Sequence, residues 1–189
     1  METPQEGARL DVALIERIVA REANAVGELY DRHSRLLYGL ILRILRDHGE
    51  ADEVLQEVFL SVWNRAESYD ATLGSPAGWL VRIARNRAID RLRANTARKR
   101  AVKSAPFELP SDENPEMSAL IGEQQRVVAR ALEAIPREQR DLIEEAYYLG
   151  LTQSELAERH KLPLGTVKTR IRTGLLTLRQ QLVPASVQS

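Results

Sequence analysis

The chain has 189 residues, 43% of them apolar and 29% charged, with a formal net charge of zero. That length suits one ordinary domain or two small ones, and the composition suits a soluble protein with long polar helical faces. With no cysteine at all, disulfides, cysteine-based zinc sites and thiol switches within the chain are excluded.

The neutral sum hides an uneven distribution. Arg82, Arg85, Arg87, Arg91, Arg93, Arg98, Lys99, Arg100 and Lys103 face a single acid, Asp90, between Trp79 and Lys103. Arg159, Lys161, Lys168, Arg170, Arg172 and Arg179 form a second basic block that contains no acid. Asp47, Glu50, Asp52, Glu53 and Glu57 make an acidic run, and Glu108, Asp112, Glu113, Glu116 and Glu123 another. Two basic blocks and separate acidic ones point to two phosphate contacts and a basic protein partner. His33, His48 and His160 lack metal-ligand spacing, so neither a metal nor another cofactor is expected. Residues 1–11 carry acids and no apolar stretch, unlike a signal peptide, and no apolar run is long enough for a membrane span. A cytoplasmic location is therefore expected.

In chain order, the apolar spacing predicts helices nearly throughout. Leu10, Leu14, Ile15, Ile18 and Val19 mark the first. Val26, Leu29, Tyr30, His33, Leu37, Leu40, Ile41, Ile44 and Leu45 mark a longer second, and Val54, Leu55, Val58, Phe59, Val62 and Trp63 the third. Ser75-Pro76 starts the fourth, the serine capping free backbone N–H groups and the proline taking the first helical position. Periodicity then stops among Pro106, Pro110 and Pro115. Asn114-Pro115 opens a further helix with Met117, Leu120, Ile121, Val128, Leu132 and Ile135 inward. Pro136 begins the next, with Leu142, Ile143, Ala146 and Tyr147 inward, and Gly150 ends it. No alternating pattern of strand type is present. The expected fold is all-α: two small helical domains, 1–97 and 115–183, joined by a flexible acidic linker at 98–114, with a frayed tail at 184–189.

Thr152-Gln153-Ser154-Glu155 reads as a capping box, and Leu156 and Ala157 give the short helix an apolar face. Lys161-Leu162-Pro163 breaks it. The next helix runs through Gly165–Arg172, with Val167 and Ile171 inward and Lys168, Thr169, Arg172 and Thr173 outward. Short helix, tight turn and basic second helix describe a helix-turn-helix, whose second helix enters the DNA major groove. Lys and Arg there bond to guanine edges or to phosphates.

Taken together, the Ala51–Trp63 block, the Gly78–Arg93 block, and the helix-turn-helix preceded by Leu132–Arg140 resemble the extracytoplasmic-function sigma factors, the smallest branch of the bacterial sigma-70 family. The resemblance covers Ala25 to Leu182. It implies a region 2-like domain, a region 4-like domain, and a non-enzymatic subunit that gives RNA polymerase its promoter specificity. In the first block it implies that Asp52, Glu53, Gln56 and Glu57 bind the clamp helices of the polymerase beta-prime subunit. In the second it implies a grip on the non-template strand of the promoter −10 element through Arg82, Arg85, Asn86 and Arg93. The stripe Trp79, Arg82, Asn86, Asp90, Arg93 at steps of three or four residues agrees with this. Asp90 fits either a DNA contact or a brace for the arginines, and Trp79 either a base stack or the helical core. Tyr69 and Asp70 head the loop in which the family captures a flipped base. The third block implies reading of the −35 element by Thr166, Lys168, Thr169, Arg170, Arg172 and Thr173. Many members carry arginine where this chain has Thr173, and Ala-Arg where it has Gly174-Leu175, so their −35 preference does not transfer. The implied partners are core polymerase, including the beta flap, promoter DNA, and an anti-sigma factor, often membrane-anchored in the family. No small-molecule substrate is implied.

A free-standing helix-turn-helix regulator would account for the C-terminal part alone. It leaves the Asp52–Trp63 and Trp79–Arg93 blocks unexplained. A recombinase-like DNA enzyme would need a nucleophile on a mixed scaffold whose strand pattern is missing here.

Overall fold

The computed structural model describes residues 4–102 and 130–182. Every regular element among them is helical. The chain divides into two compact units, Met1–Pro106 and Phe107–Ser189.

The first unit holds α1 (Pro4–Val19), α2 (Ala23–Leu45), α3 (His48–Arg65) and α4 (Pro76–Val102), with single 3-10 turns at Ala66–Ser68 and Ala71–Leu73. α2 packs against the other three helices, and its fully buried Leu29, Leu37 and Ile41 make it the centre of the core. α2 stops where Arg46 turns into the left-handed region (φ 57°) and donates its N–H to the Leu42 carbonyl at 2.8 Å. Asp47 then caps α3, accepting from the Glu50 N–H at 2.9 Å. α4 starts as its residues demand. Ser75 Oγ accepts from the Gly78 N–H at 3.2 Å, and Pro76 sits in the first turn. Leu80, Ala84 and Ala88, four residues apart, are fully buried. The two alanines let α4 lie close along the core. The helix runs to Val102, past residue 97; the linker and helix expected over 103–129, and the tail from 183, lie outside the described residues.

α1 differs from its apolar pattern. Leu14, Ile15 and Ile18 are buried as expected, but Leu10 is 51% and Val19 40% exposed. The residue that completes the inward face is Asp11, at 4% exposure. Its carboxylate meets Arg32 Nε at 2.6 Å and His33 Nε2 at 2.8 Å, both on α2. A buried carboxylate is tolerated only when partnered in this way.

The second unit holds α5 (Arg137–Tyr148), α6 (Gln153–His160) and α7 (Leu164–Leu182). Leu142, Leu156, Val167 and Ile171 form its core, one or two from each helix, with Ile143, Leu151 and Leu162 packed around them. Gly150 adopts φ 64°, a left-handed conformation that glycine takes at little cost, just beyond the end of α5.

Candidate polymerase and nucleic-acid interfaces

Three surfaces carry the residues singled out from sequence. On α3, Asp52, Glu53 and Gln56 are exposed and Glu57 is half-buried, while Val54, Val58 and Val62 face the core. The acidic face is partly neutralised within the unit. Arg91 of α4 donates to Glu53 at 2.9 Å and to Glu57 at 2.7 Å, and Arg87 approaches Glu57 at 3.9 Å. Asn95 donates to the Glu50 carboxylate at 2.6 and 2.8 Å. Hydrogen bonding to Glu53 and the charge of Glu57 raise the Arg91 pKa further above its usual value, so the cation is fixed. Asp52 and Gln56 are the part of this face directed wholly to solvent.

The second surface lies on α4 and the loop before it. Arg82, Asn86, Asp90 and Arg93 are exposed along one side of the helix, opposite Leu80, Ala84 and Ala88; Arg85 is half-buried beside them. Trp79 has the helical phase of this stripe, yet it is only 7% exposed. The loop folds back over it, and the Tyr69 ring packs edge-on against the indole at 5.6 Å between centroids. Trp79 is therefore packed beneath the loop rather than exposed on the outer stripe. The loop is braced from within. Tyr69 donates its hydroxyl to the Gly74 carbonyl at 3.1 Å, and Asp70 Oδ1 accepts from the Thr72 N–H and hydroxyl at 2.8 and 2.7 Å. Those bonds hold the Asp70 carboxyl below its ordinary range, while burial, aided by Asp70, raises the Tyr69 phenol. Gly74, at φ 144°, closes the turn in a conformation side-chain-bearing residues avoid. Leu73 projects from the loop, 75% exposed.

The third surface is the helix-turn-helix. Thr152 and Glu155 form the reciprocal capping box, with Thr152 N–H to Glu155 Oε2 at 2.7 Å and Glu155 N–H to Thr152 Oγ1 at 3.2 Å. Lys161 makes the turn in the left-handed region (φ 53°), and Leu162 N–H reaches the Ala157 carbonyl at 3.0 Å. Lys168, Thr169, Arg172 and Thr173 all point outward from α7, backed by Val167 and Ile171. Two other candidates are less exposed. Thr166 is half-buried. Arg170 is drawn to Glu138 of α5 at 2.6 Å. The hydroxyl of Thr169 donates back to the Gly165 carbonyl at 2.9 Å, leaving its methyl group and oxygen lone pairs outward.

Three residues that support these surfaces carried no signal in the sequence. Glu145, within the apolar face of α5, is 3% exposed and meets His160 Nε2 at 3.0 Å and Arg159 Nε at 3.2 Å, tying α5 to α6. Gly174 is buried at the crossing of α7 over α5, where an added Cβ would lie 2.6 Å from Ile143 Cδ1 and 3.3 Å from Gln139 Cβ. Arg91 reads as one more basic residue until α3 is placed beside it. Among the described residues, no helix is long and apolar enough to cross a membrane.

Two family models match this chain: Sigma-70 region 2 over residues 29–98 and Sigma-70 region 4 over residues 131–180. Among curated proteins, an ECF RNA polymerase sigma factor, SigK of Mycobacterium ulcerans, is 41% identical over 170 residues, covering 88% of this chain and 90% of the relative. SigK of Mycolicibacterium vanbaalenii is 38% identical over 180 residues, covering 94% and 91%. Among solved structures, Rhodobacter sphaeroides SigE in complex with the anti-sigma ChrR is similar at 32% identity, covering 89% of this chain and 96% of that one, with a TM-score of 0.47.

Proposed function

This chain belongs to the extracytoplasmic-function sigma factors of the sigma-70 family and is an alternative sigma factor that directs transcription initiation; from that premise we propose how its three surfaces divide the work. The acidic side of α3, Asp52, Glu53, Gln56 and Glu57, takes the beta-prime clamp helices of core polymerase, since an acidic face attracts and orients a basic partner. The outer side of α4, Arg82, Arg85, Asn86, Asp90 and Arg93, with the loop at Tyr69 and Asp70 seated on Trp79, holds the non-template strand of the −10 element. Arginines grip phosphate there and Asn86 reads a base edge. The outer side of α7, led by Lys168, Thr169 and Arg172 and flanked by Thr166, Arg170 and Thr173, enters the major groove of the −35 element.

Holding an unpaired strand favours the open promoter without any bond being made or broken by the sigma factor. The chain therefore acts by binding, in the cytoplasm with its polymerase, and catalyses nothing itself. The domain limits we assign are 1–97 for the region 2-like part, 98–114 for the linker, whose first residues continue α4 to Val102, and 115–183 for the region 4-like part. An anti-sigma factor that covers one or more of these surfaces completes the set of partners, the beta flap being a further polymerase contact of the second domain.

The observation that carries the reading is the coexistence of two DNA-suited faces on separate units with an acidic face on α3. A lone duplex-binding regulator has use for only one of the three. The test is a titration of core polymerase with the Asp52→Lys variant. Asp52 is exposed and unlike Glu53 has no ion pair among the described residues, so its reversal alters the outer face alone. Core affinity should fall several-fold with thermal stability unchanged. Wild-type affinity in this variant would remove the α3 face from the polymerase interface.

A further inference from the structure

We propose that α1 builds the second wall of a nucleotide pocket beneath the 69–76 loop, and that Arg9 holds the backbone phosphate of a single-stranded nucleotide whose base enters that pocket. The inference rests on the reading of the loop as facing single-stranded DNA, and adds to it a helix that precedes the residues matched by the region 2 model, 29–98.

An open surface groove of about 480 Å³ lies between the two elements, with Arg9 and Val12 of α1 on one side and Tyr69, Ala71, Gly74 and Pro76 on the other. Small-molecule sites span about 300–1,000 Å³, so one nucleobase has room in it. Its walls are largely apolar or backbone, which suits the face of a base. Leu73, exposed at the loop tip, is an apolar side chain of the kind that inserts beside an unstacked base.

Both walls are held in place. The loop is braced by the Tyr69–Gly74 and Asp70–Thr72 bonds. α1 is fixed to α2 through Asp11, two residues from Arg9, by its bonds to Arg32 and His33. These same bonds settle the charge at the rim. The buried Asp11 carboxylate is paired with Arg32 on α2, whereas that of Asp70, bonded to the uncharged Thr72, keeps its charge on the loop side. Arg9 is exposed, with no ion pair among the described residues, so the α1 side of the rim presents a cation. A strand entering base-first brings its phosphate to that cation. Single-strand capture by an apolar recess plus a backbone-gripping cation is a sequence-tolerant mode.

The experiment uses holoenzyme reconstituted from the full chain and bacterial core polymerase. The probe is a fluorescent DNA bubble with a single-stranded non-template segment, drawn from a random pool enriched on the wild-type holoenzyme. Arg9→Gln should bind this bubble about threefold more weakly, as fits a solvent-exposed charge contact. The slope of log affinity against log salt should fall by about 0.7, the value for one single-strand phosphate. Core affinity should not change, which also reports an intact fold. Val12→Trp, which fills the recess and leaves Arg9 in place, should weaken the bubble complex as well. Wild-type affinity and salt slope in Arg9→Gln would overturn the proposal. Arg82→Gln and Asn86→Ala, run alongside, separate the two levels of the argument. If they weaken the bubble complex and Arg9→Gln does not, only the α1 wall is lost. If they too bind as wild type, the assignment of the loop and α4 to single-stranded DNA falls with it.

Discussion

Arg91 on α4 sits 2.7 Å from the Glu57 carboxylate on α3, joining the helix assigned to the −10 strand to the helix assigned to the polymerase. With its second bond to Glu53 at 2.9 Å it spans consecutive turns of α3. The Arg91 side chain is 23% exposed, against 41% for Glu57 and 69% for Glu53, so solvent screens the clasp.

Arg91→Met should therefore lower the stability of the first unit by only about 1 kcal/mol in chemical denaturation. It should also release two carboxylates toward the polymerase, so core affinity should rise at low salt and return to the wild-type value as salt screens the added charge. Weaker core binding at low salt would mean that Arg91, rather than the carboxylates, meets the partner.

Glu145 presents the opposite case, a carboxylate 3% exposed between His160 and Arg159. Glu145→Ala leaves two cationic or polar groups without their partner and opens space between α5 and α6. With Arg159 and His160 still reachable by solvent, the expected cost is about 1–3 kcal/mol, read as a lower denaturation midpoint of the second unit. Because α6 positions α7, duplex binding should weaken with it, although Glu145 itself faces no DNA.

Gly174 of α7 is buried against α5, with Ile143 Cδ1 2.6 Å from where a Cβ would stand. Alanine gains about 1 kcal/mol in helix propensity and can be fitted by a rotation of the Ile143 tip. Valine adds two branches to a Cβ position already 3.3 Å from Gln139 Cβ. Gly174→Val should cost about 1–3 kcal/mol through forced displacement of α7 from α5. A thermal melt of the full chain checks this, with Gly174→Ala as the near-neutral reference.

Arg172 is an exposed arginine of α7 without an intrachain partner among the described residues, whereas Arg170 is held by Glu138. Arg172→Ala should lower affinity for the −35 duplex by about 1–3 kcal/mol and relax the preference at one base pair if the contact is to a base edge. A uniform loss across sequences would identify a phosphate contact instead. Core affinity should be untouched in either case. Arg170→Ala should do less to DNA binding than Arg172→Ala, since its guanidinium is directed to α5.

Much of this architecture was legible in the residues because its signals are local. The Thr152–Glu155 capping box, the Ser75-Pro76 start, Gly150 and the Val167/Ile171 spacing each act within a turn or two of chain, and each recurs in the structure. The features that escaped depend on partners far along the chain. Periodicity places an acid in solvent, so Asp11 and Glu145 read as surface until Arg32 and His33, or Arg159 and His160, are brought against them. Helical phase placed Trp79 on the outer stripe, and the fold-back of Tyr69 put it beneath the loop. The basic block on α4 likewise divides only in three dimensions, Arg91 turning to α3 while Arg82 and Arg93 stay outward.

The most direct test of the central claim is transcription in vitro by core polymerase plus this chain from a randomised promoter library, with start sites and upstream sequences read together. The account predicts tight core binding and new start sites preceded by two separated motifs. Arg172→Ala should erase the upstream motif, and Asn86→Ala should blur the downstream one. A chain that leaves core polymerase unprogrammed while still binding duplex DNA would contradict the account and make it a free-standing regulator.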